Sequence, residues 1–235
     1  MMRALVVDDE LHAREELASL LREAGAFEVL GTCPDAVTAL QAIRAGRPDV
    51  LFLDIQMPAI SGFELLSMID DDELPRVVFV TAHDEHALRA FEENAVDYLL
   101  KPVAPERLRR TVERLRRGPA DPALTIHLRP SLQRIPCLAG RAIRLVDVAE
   151  IELARSSEAG VYVVSPRGEL FTELTLRVLE ERAGLVRCHK QFLVRIETVV
   201  ELELGEGSAR LRTRSGHEVP VSRRLLPAIR TRLGA

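Results

Sequence analysis

Ala4-Leu5-Val6-Val7-Asp8-Asp9-Glu10 and Val50-Leu51-Phe52-Leu53-Asp54 decide how the first half of this chain folds. Each is a short apolar run that ends in carboxylates. Such runs read as strands buried on both faces of a parallel sheet. Ligands of open α/β sheets sit beyond the carboxyl ends of those strands. Asp8, Asp9 and Asp54 are therefore expected at one edge, where three carboxylates suit a small, oxygen-seeking dication such as Mg2+. Thr81 and Lys101 follow two further apolar runs and add a hydroxyl and an ammonium. The set predicts a site for phosphoryl transfer.

Working outward, the 235 residues suit two domains of ordinary size, each able to bury its own core. The formal charge of −4 is unevenly spread: residues 1–118 carry 14 Lys/Arg against 22 Asp/Glu, and residues 119–235 carry 18 against 14. An acidic half joined to a basic half suggests a metal or phosphate site coupled to a polyanion-binding module, or simply two solvated surfaces. Cys33, Cys137 and Cys188 are too few and too scattered for a disulfide framework or a zinc cluster. Neither a signal peptide nor an apolar run of membrane-spanning length is visible, so a soluble, cytoplasmic chain with no membrane partner is expected.

The pattern along the first half alternates. Strands are expected at 3–8, 27–32, 49–54, 76–81 and 96–100, and helices at 11–24, 35–45, 62–69, 84–93 and 105–117, with Asp35 capping the second helix. That order predicts a doubly wound, five-stranded parallel sheet. Arg116 to Pro122 reads as the start of a linker. Beyond it the texture changes to short β-rich runs at 124–128, 134–138, 142–145, 149–153, 160–164, 169–171, 185–188, 193–195, 198–204, 208–212 and 217–221. Helices are expected only at 174–183 and 222–233, so the second half is a mostly β module.

Asp8-Asp9-Glu10, Asp54 to Gly62, Thr81-Ala82 and Lys101-Pro102 together resemble the receiver domain of response regulators over residues 1–118. The resemblance implies that Asp54 accepts a phosphoryl group from a sensor histidine kinase. It implies that Asp9 and Asp54 ligate Mg2+ directly with the Gln56 backbone carbonyl, while Asp8 acts through a water. Lys101 and Thr81 would each meet a phosphoryl oxygen, and Tyr98 would swing inward as Thr81 moves. A cis bond before Pro102 and a positive backbone angle at Gly62 are expected. His83 and His86 fall near the expected dimer face; they read as exposed polar residues or as a pH-sensing pair.

Arg187 to Val194, Pro220 to Leu225 and Phe171 to Leu176 resemble a LytTR DNA-binding domain over about 133–235, with 119–132 as linker. The whole chain is thus similar to LytR/AlgR-type regulators, and the resemblance implies a sensor kinase of the LytS type as its partner. The resemblance implies an elongated β module that reads double-stranded promoter DNA with loops. Ser157, His189, Lys190, Gln191, Arg223 and Arg224 are the candidate contacts, since Arg, Lys and Gln can bond base edges while Ser and His serve bases or phosphates. His189 reads equally as a core histidine bonded to backbone. Arg195 stands where Asn is frequent in the family and is expected to alter a structural bond. Cys188 reads as an inert buried thiol. Without the resemblance, this half is also compatible with an RNA-binding or protein-interaction module.

The function expected is that of a two-component response regulator: phosphorylated on Asp54, dimerising, and binding two half-sites to change transcription. The competing class is a Mg2+-dependent phosphohydrolase with an aspartyl-phosphate intermediate. Such enzymes often carry a carboxylate two residues after the nucleophile, where this chain has Gln56. A non-enzymatic regulator is therefore expected.

Overall fold

The structure, a computed structural model, describes residues 1–82, 95–117, 131–140, 142–205 and 208–234. It divides into two compact units, with the boundary between Pro130 and Ser131. In the first, β1 (Met2–Val7), β2 (Phe27–Cys33), β3 (Val50–Leu53), β4 (Arg76–Thr81) and β5 (Asp97–Leu100) form the expected parallel sheet, in the order β2-β1-β3-β4-β5. The described helices of this unit are α1 (Leu11–Glu23), α2 (Ala36–Gly46), α3 (Gly62–Ser67) and α4 (Pro105–Arg117). The helix expected at 84–93, with His83 and His86, and the strand expected at 124–128 lie outside the described residues.

The core explains why the strands are continuous apolar runs. Val50 to Leu53 are fully buried because helices cover both faces of β3. One layer joins Val6, Phe52, Val78 and Val80 to Leu17 and Leu21 of α1 and to Leu108, Val112 and Leu115 of α4. Phe27 meets Phe52 edge-on at 5.4 Å, and Phe63 of α3 lies 4.9 Å from Phe79 of β4. Asp35 caps α2 as expected, accepting the Thr38 N–H at 2.8 Å. Ser61 and Glu64 form a capping box on α3, which ends at Ser67, two residues earlier than its pattern suggests.

The second unit is antiparallel. Its larger sheet runs β11-β12-β8-β9-β10-β6-β7, built from β6 (Arg134–Ala139), β7 (Ala142–Asp147), β8 (Leu153–Ser157), β9 (Gly160–Ser165), β10 (Gly168–Thr172), β11 (Val186–His189) and β12 (Phe192–Val194). A second sheet holds β13 (Val199–Gly205), β14 (Ser208–Thr213) and β15 (Glu218–Val221), and α5 (Leu176–Arg182) and α6 (Leu226–Leu233) complete the unit. Leu153, Val164, Cys188 and Val194 of the first sheet pack with Leu211 and Val219 of the second and Ile229 of α6. Leu132, within the expected linker, is buried here and donates its N–H to the Arg182 carbonyl at 2.7 Å.

Two expectations for this unit are corrected. Residues 149–153 are not a strand: Val148–Glu150 form a 3-10 turn, and β8 begins at Leu153. Arg195 holds this turn: its guanidinium donates to the carbonyls of Val148 (2.6 Å), Ile151 (2.9 Å) and Ala183 (3.3 Å). The last helix begins at Leu226 rather than Ser222, because Pro227 fits only its first turn and Ser222 to Leu225 are a turn.

Candidate functional site

Parallel pairing places the chemistry of the first unit at one edge. Asp8 and Asp9 follow β1, Asp54 follows β3, Thr81 closes β4 and Lys101 follows β5. The backbone locks these ends together: Asp54 N–H donates to Val7 O at 2.8 Å, and Lys101 N–H donates to Thr81 O at 2.9 Å. Carboxylate oxygens of Asp8, Asp9 and Asp54 lie within 4.8 Å of one another. Lys101 Nζ sits 2.7 Å from Asp8 Oδ2 and 2.6 Å from Asp54 Oδ2. Gln56 donates its N–H to Asp54 Oδ1 at 3.1 Å.

Burial sets the electrostatics. Asp8 and Asp54 are 1% and 4% exposed, whereas Asp9 is exposed. Burial pushes the Asp8 carboxyl above its ordinary 3.8, and the Lys101 ammonium offsets this only in part. Burial pulls Lys101 the other way, but Asp54 and Asp8 outweigh it and raise its pKa above 10.5. The ammonium is therefore charged at neutral pH. An all-oxygen donor set with a surplus of negative charge fits Mg2+. Thr81 Oγ1 is fully buried and has no hydrogen-bond partner among the described residues. A buried hydroxyl without a partner is costly, and a ligand oxygen arriving beside it would remove that cost.

Lys101-Pro102 is a cis peptide, as expected. Gly62 is needed for a different reason than its sequence position suggests. The positive angle falls at Ala59 (φ 68°), while a Cβ at Gly62 would lie 2.3 Å from the Asp54 carbonyl oxygen. Glycine lets α3 start directly against the loop that follows Asp54. Tyr98 is half-buried on β5, with its carbonyl bonded by Arg107 at 3.0 Å.

Two residues of this unit escaped the sequence reading. Asp97, which opens β5, is 2% exposed and accepts from Arg107, Thr111 and Arg114 of α4 at 2.6–2.7 Å. Burial pushes its carboxyl up, but Arg107, Thr111 and the Tyr98 N–H outweigh burial and leave it below 3.8. The i, i+4 and i+7 spacing of Arg107, Thr111 and Arg114 was the available signal. Arg14 is the other: 8% exposed on α1, it donates to the Asp8 carbonyl.

In the second unit, strand pairing gathers the candidate DNA contacts. Lys190 and Gln191 form the exposed two-residue turn between β11 and β12, and Ser157 is exposed at the β8–β9 turn. Ser156 N–H donates to Gln191 O at 2.9 Å, joining those turns. Ser222 N–H donates to Cys188 O at 2.9 Å, which brings exposed Arg223 and Arg224 beside the end of β11. His189 is half-buried; its Nδ1 accepts the Gln191 N–H at 3.3 Å and its ring lies 5.8 Å from Phe192. Arg155 is committed within the sheet, paired with Glu169 and stacked 4.9 Å over Tyr162. Arg195 is structural, and burial lowers its pKa below the ordinary arginine value. Burial pushes the Cys188 thiol up to about 12, which disfavours the reactive thiolate.

No described helix is long and apolar enough to cross a membrane. Residues 4–113 match the response regulator receiver domain family, and residues 141–234 match the LytTr DNA-binding domain family. An uncharacterized response regulatory protein of Vibrio cholerae serotype O1 is 50% identical over 235 residues, covering 100% of this chain and 99% of that protein. The transcriptional regulatory protein BtsR of Salmonella typhimurium is 47% identical over 238 residues, and BtsR of Escherichia coli K12 is 46% identical over the same length; each comparison covers both chains completely. Receiver and LytTR halves in one chain, with full-length relatives of the same build, place this protein among the two-component response regulators with a LytTR DNA-binding domain, a transcription-regulator family and not an enzyme class.

Proposed function

We propose that Asp54 is the phosphoacceptor of a sensor histidine kinase of the LytS type. Its phosphorylation would promote dimerisation and binding of the second unit to double-stranded promoter DNA. The carrying observation is the Asp54 carboxylate, buried between the acid pair and the Lys101 ammonium at 2.6 Å, with the Thr81 hydroxyl, unpartnered among the described residues, at the same edge. In the transfer, an Asp54 oxygen attacks phosphorus, the donor histidine N–P bond breaks, and the imidazole leaves with its electron pair. Asp9, Asp54 and the Gln56 carbonyl would hold Mg2+, with Asp8 acting through a water. That cation supplies the charge neutralisation a carboxylate needs to approach a phosphoryl group. Lys101 then shifts from neutralising two carboxylates to bonding a phosphoryl oxygen. Thr81 gains an acceptor for its hydroxyl and moves inward, and Tyr98 follows.

Incubation with acetyl phosphate and MgCl2 tests the assignment. The wild type should gain one hydroxylamine-labile adduct and Asp54→Asn none; equal labelling of the variant contradicts it. For the second unit, Lys190, Gln191, Arg223 and Arg224 would be the main DNA contacts, with Ser157 and His189 beside them. A base contact costs about 1–3 kcal/mol at one position, whereas a phosphate contact lowers affinity for all sequences and reduces the salt slope by about one. Gln191→Ala should relax specificity at one base pair per half-site. Arg224→Ala should lose affinity broadly, or lose a guanine preference if its guanidinium enters the groove. Titrations on a half-site library at two salt concentrations separate these, and two unchanged variants would place the contacts elsewhere.

A further inference from the structure

The peptide that joins Asp8 to Asp9 is held from behind. Asp8 N–H donates to Cys33 O at 3.1 Å, and its Oδ1 accepts the Glu10 N–H at 2.9 Å. Its carbonyl accepts from Nη1 of Arg14, one helical turn into α1. Arg14 is only 8% exposed, and no carboxylate pairs with it among the described residues. A guanidinium is costly to bury without a partner, and Leu17 and Leu21 already supply the apolar contacts of this helix. Meanwhile the exposed Asp9 side chain makes no hydrogen bond among the described residues. Its direction is set by the backbone that precedes it.

We propose that Arg14 is a positioning residue for divalent-cation binding: by fixing the Asp8–Asp9 peptide it aims the Asp9 carboxylate toward Asp54. This rests on the Mg2+ site proposed above. The sign of the effect separates positioning from charge. Acting only through space, a cation opposes the arrival of a dication, so its removal would tighten Mg2+ binding. Positioning predicts the reverse, because groups that orient a ligand from behind change metal affinity by about 10–100-fold.

Calorimetric titration of the full-length protein with MgCl2 tests this on the wild type, Arg14→Met, Arg14→Lys and Asp9→Asn, with urea unfolding in EDTA run alongside. Arg14→Met should bind Mg2+ about tenfold more weakly. Arg14→Lys, which keeps a donor but loses the planar fork, should fall between it and the wild type. Wild-type or tighter affinity in either Arg14 variant overturns the proposal; should Arg14→Met fail to fold, Arg14→Lys decides alone. Unchanged binding by Asp9→Asn, or no binding by the wild type, overturns the metal site itself and the role of Arg14 with it.

Discussion

At the scale of single residues, the carboxylate cluster of the first unit is costly to stability. Asp8 is buried against Asp54, and Lys101 compensates only in part. A carboxyl whose pKa is raised on folding binds its proton more tightly in the folded state, so it lowers stability as pH rises above 3.8. Asp8→Asn should therefore stabilise the metal-free protein at pH 7 by about 1 kcal/mol while weakening Mg2+ binding. Urea unfolding in EDTA checks this, and a less stable variant would contradict it. Lys101→Met leaves two buried carboxylates without their shared cation and should cost about 3 kcal/mol in EDTA, measured the same way. The acid pair, Asp54, Thr81 and Lys101 were legible because each follows or closes a strand pattern. Arg14 was not, because a helical arginine gives no hint that it turns inward to a carbonyl six residues back. Gly62 was legible as essential but not for its cause, since close approach to the Asp54 carbonyl depends on how the loop folds.

At the scale of elements, buried ionic groups fix pieces that apolar patterning leaves loose. Asp97 ties β5 to α4 through Arg107, Thr111 and Arg114. Its carboxyl lies below 3.8 in the folded state, so its contribution is complete above that pH and is lost as pH falls through the folded value. Asp97→Asn should cost about 2 kcal/mol at pH 7, discounted because Arg107 and Arg114 are 35% and 50% exposed. The gap from wild type should close in acid, and an equal gap at pH 7 and pH 3 would contradict the assignment. In the second unit, Arg195→Met strips three carbonyls of their donor and should cost about 2–3 kcal/mol, read as faster hydrogen exchange at Leu193 and Val194. Local alternation at 149–153 records side-chain burial, whereas the turn there is held by a cation 44 and 47 residues on from the Ile151 and Val148 carbonyls that it bonds. Glu152, 3% exposed, is a comparable link: it accepts from Thr213 Oγ1 at 2.6 Å and Ser215 Oγ at 2.9 Å, holding the β14–β15 turn to β8.

At the scale of the whole molecule, an acidic receiver unit with three carboxylates at one edge is joined to a basic LytTR unit with three turns gathered at one end, and the proposed function assigns sensing to the first and DNA reading to the second. The doubly wound parallel sheet of the first unit was legible from its alternating pattern together with the receiver resemblance. The two-sheet build of the second was not, because short antiparallel strands can pair in many orders and only Cys188–Ser222 and Ser156–Gln191 contacts reveal which turns meet. The proposed function requires that phosphorylation of Asp54 control DNA binding by the second unit. Fluorescence anisotropy with promoter fragments selected from genomic DNA by the phosphorylated protein measures it most directly, comparing wild type and Asp54→Asn with MgCl2, with and without acetyl phosphate. The wild type should bind at least about tenfold more tightly after phosphorylation, a coupling of about 1.4 kcal/mol, while Asp54→Asn stays at the unphosphorylated level. An equal gain in both proteins, or no gain in a wild type shown to be phosphorylated, would contradict it.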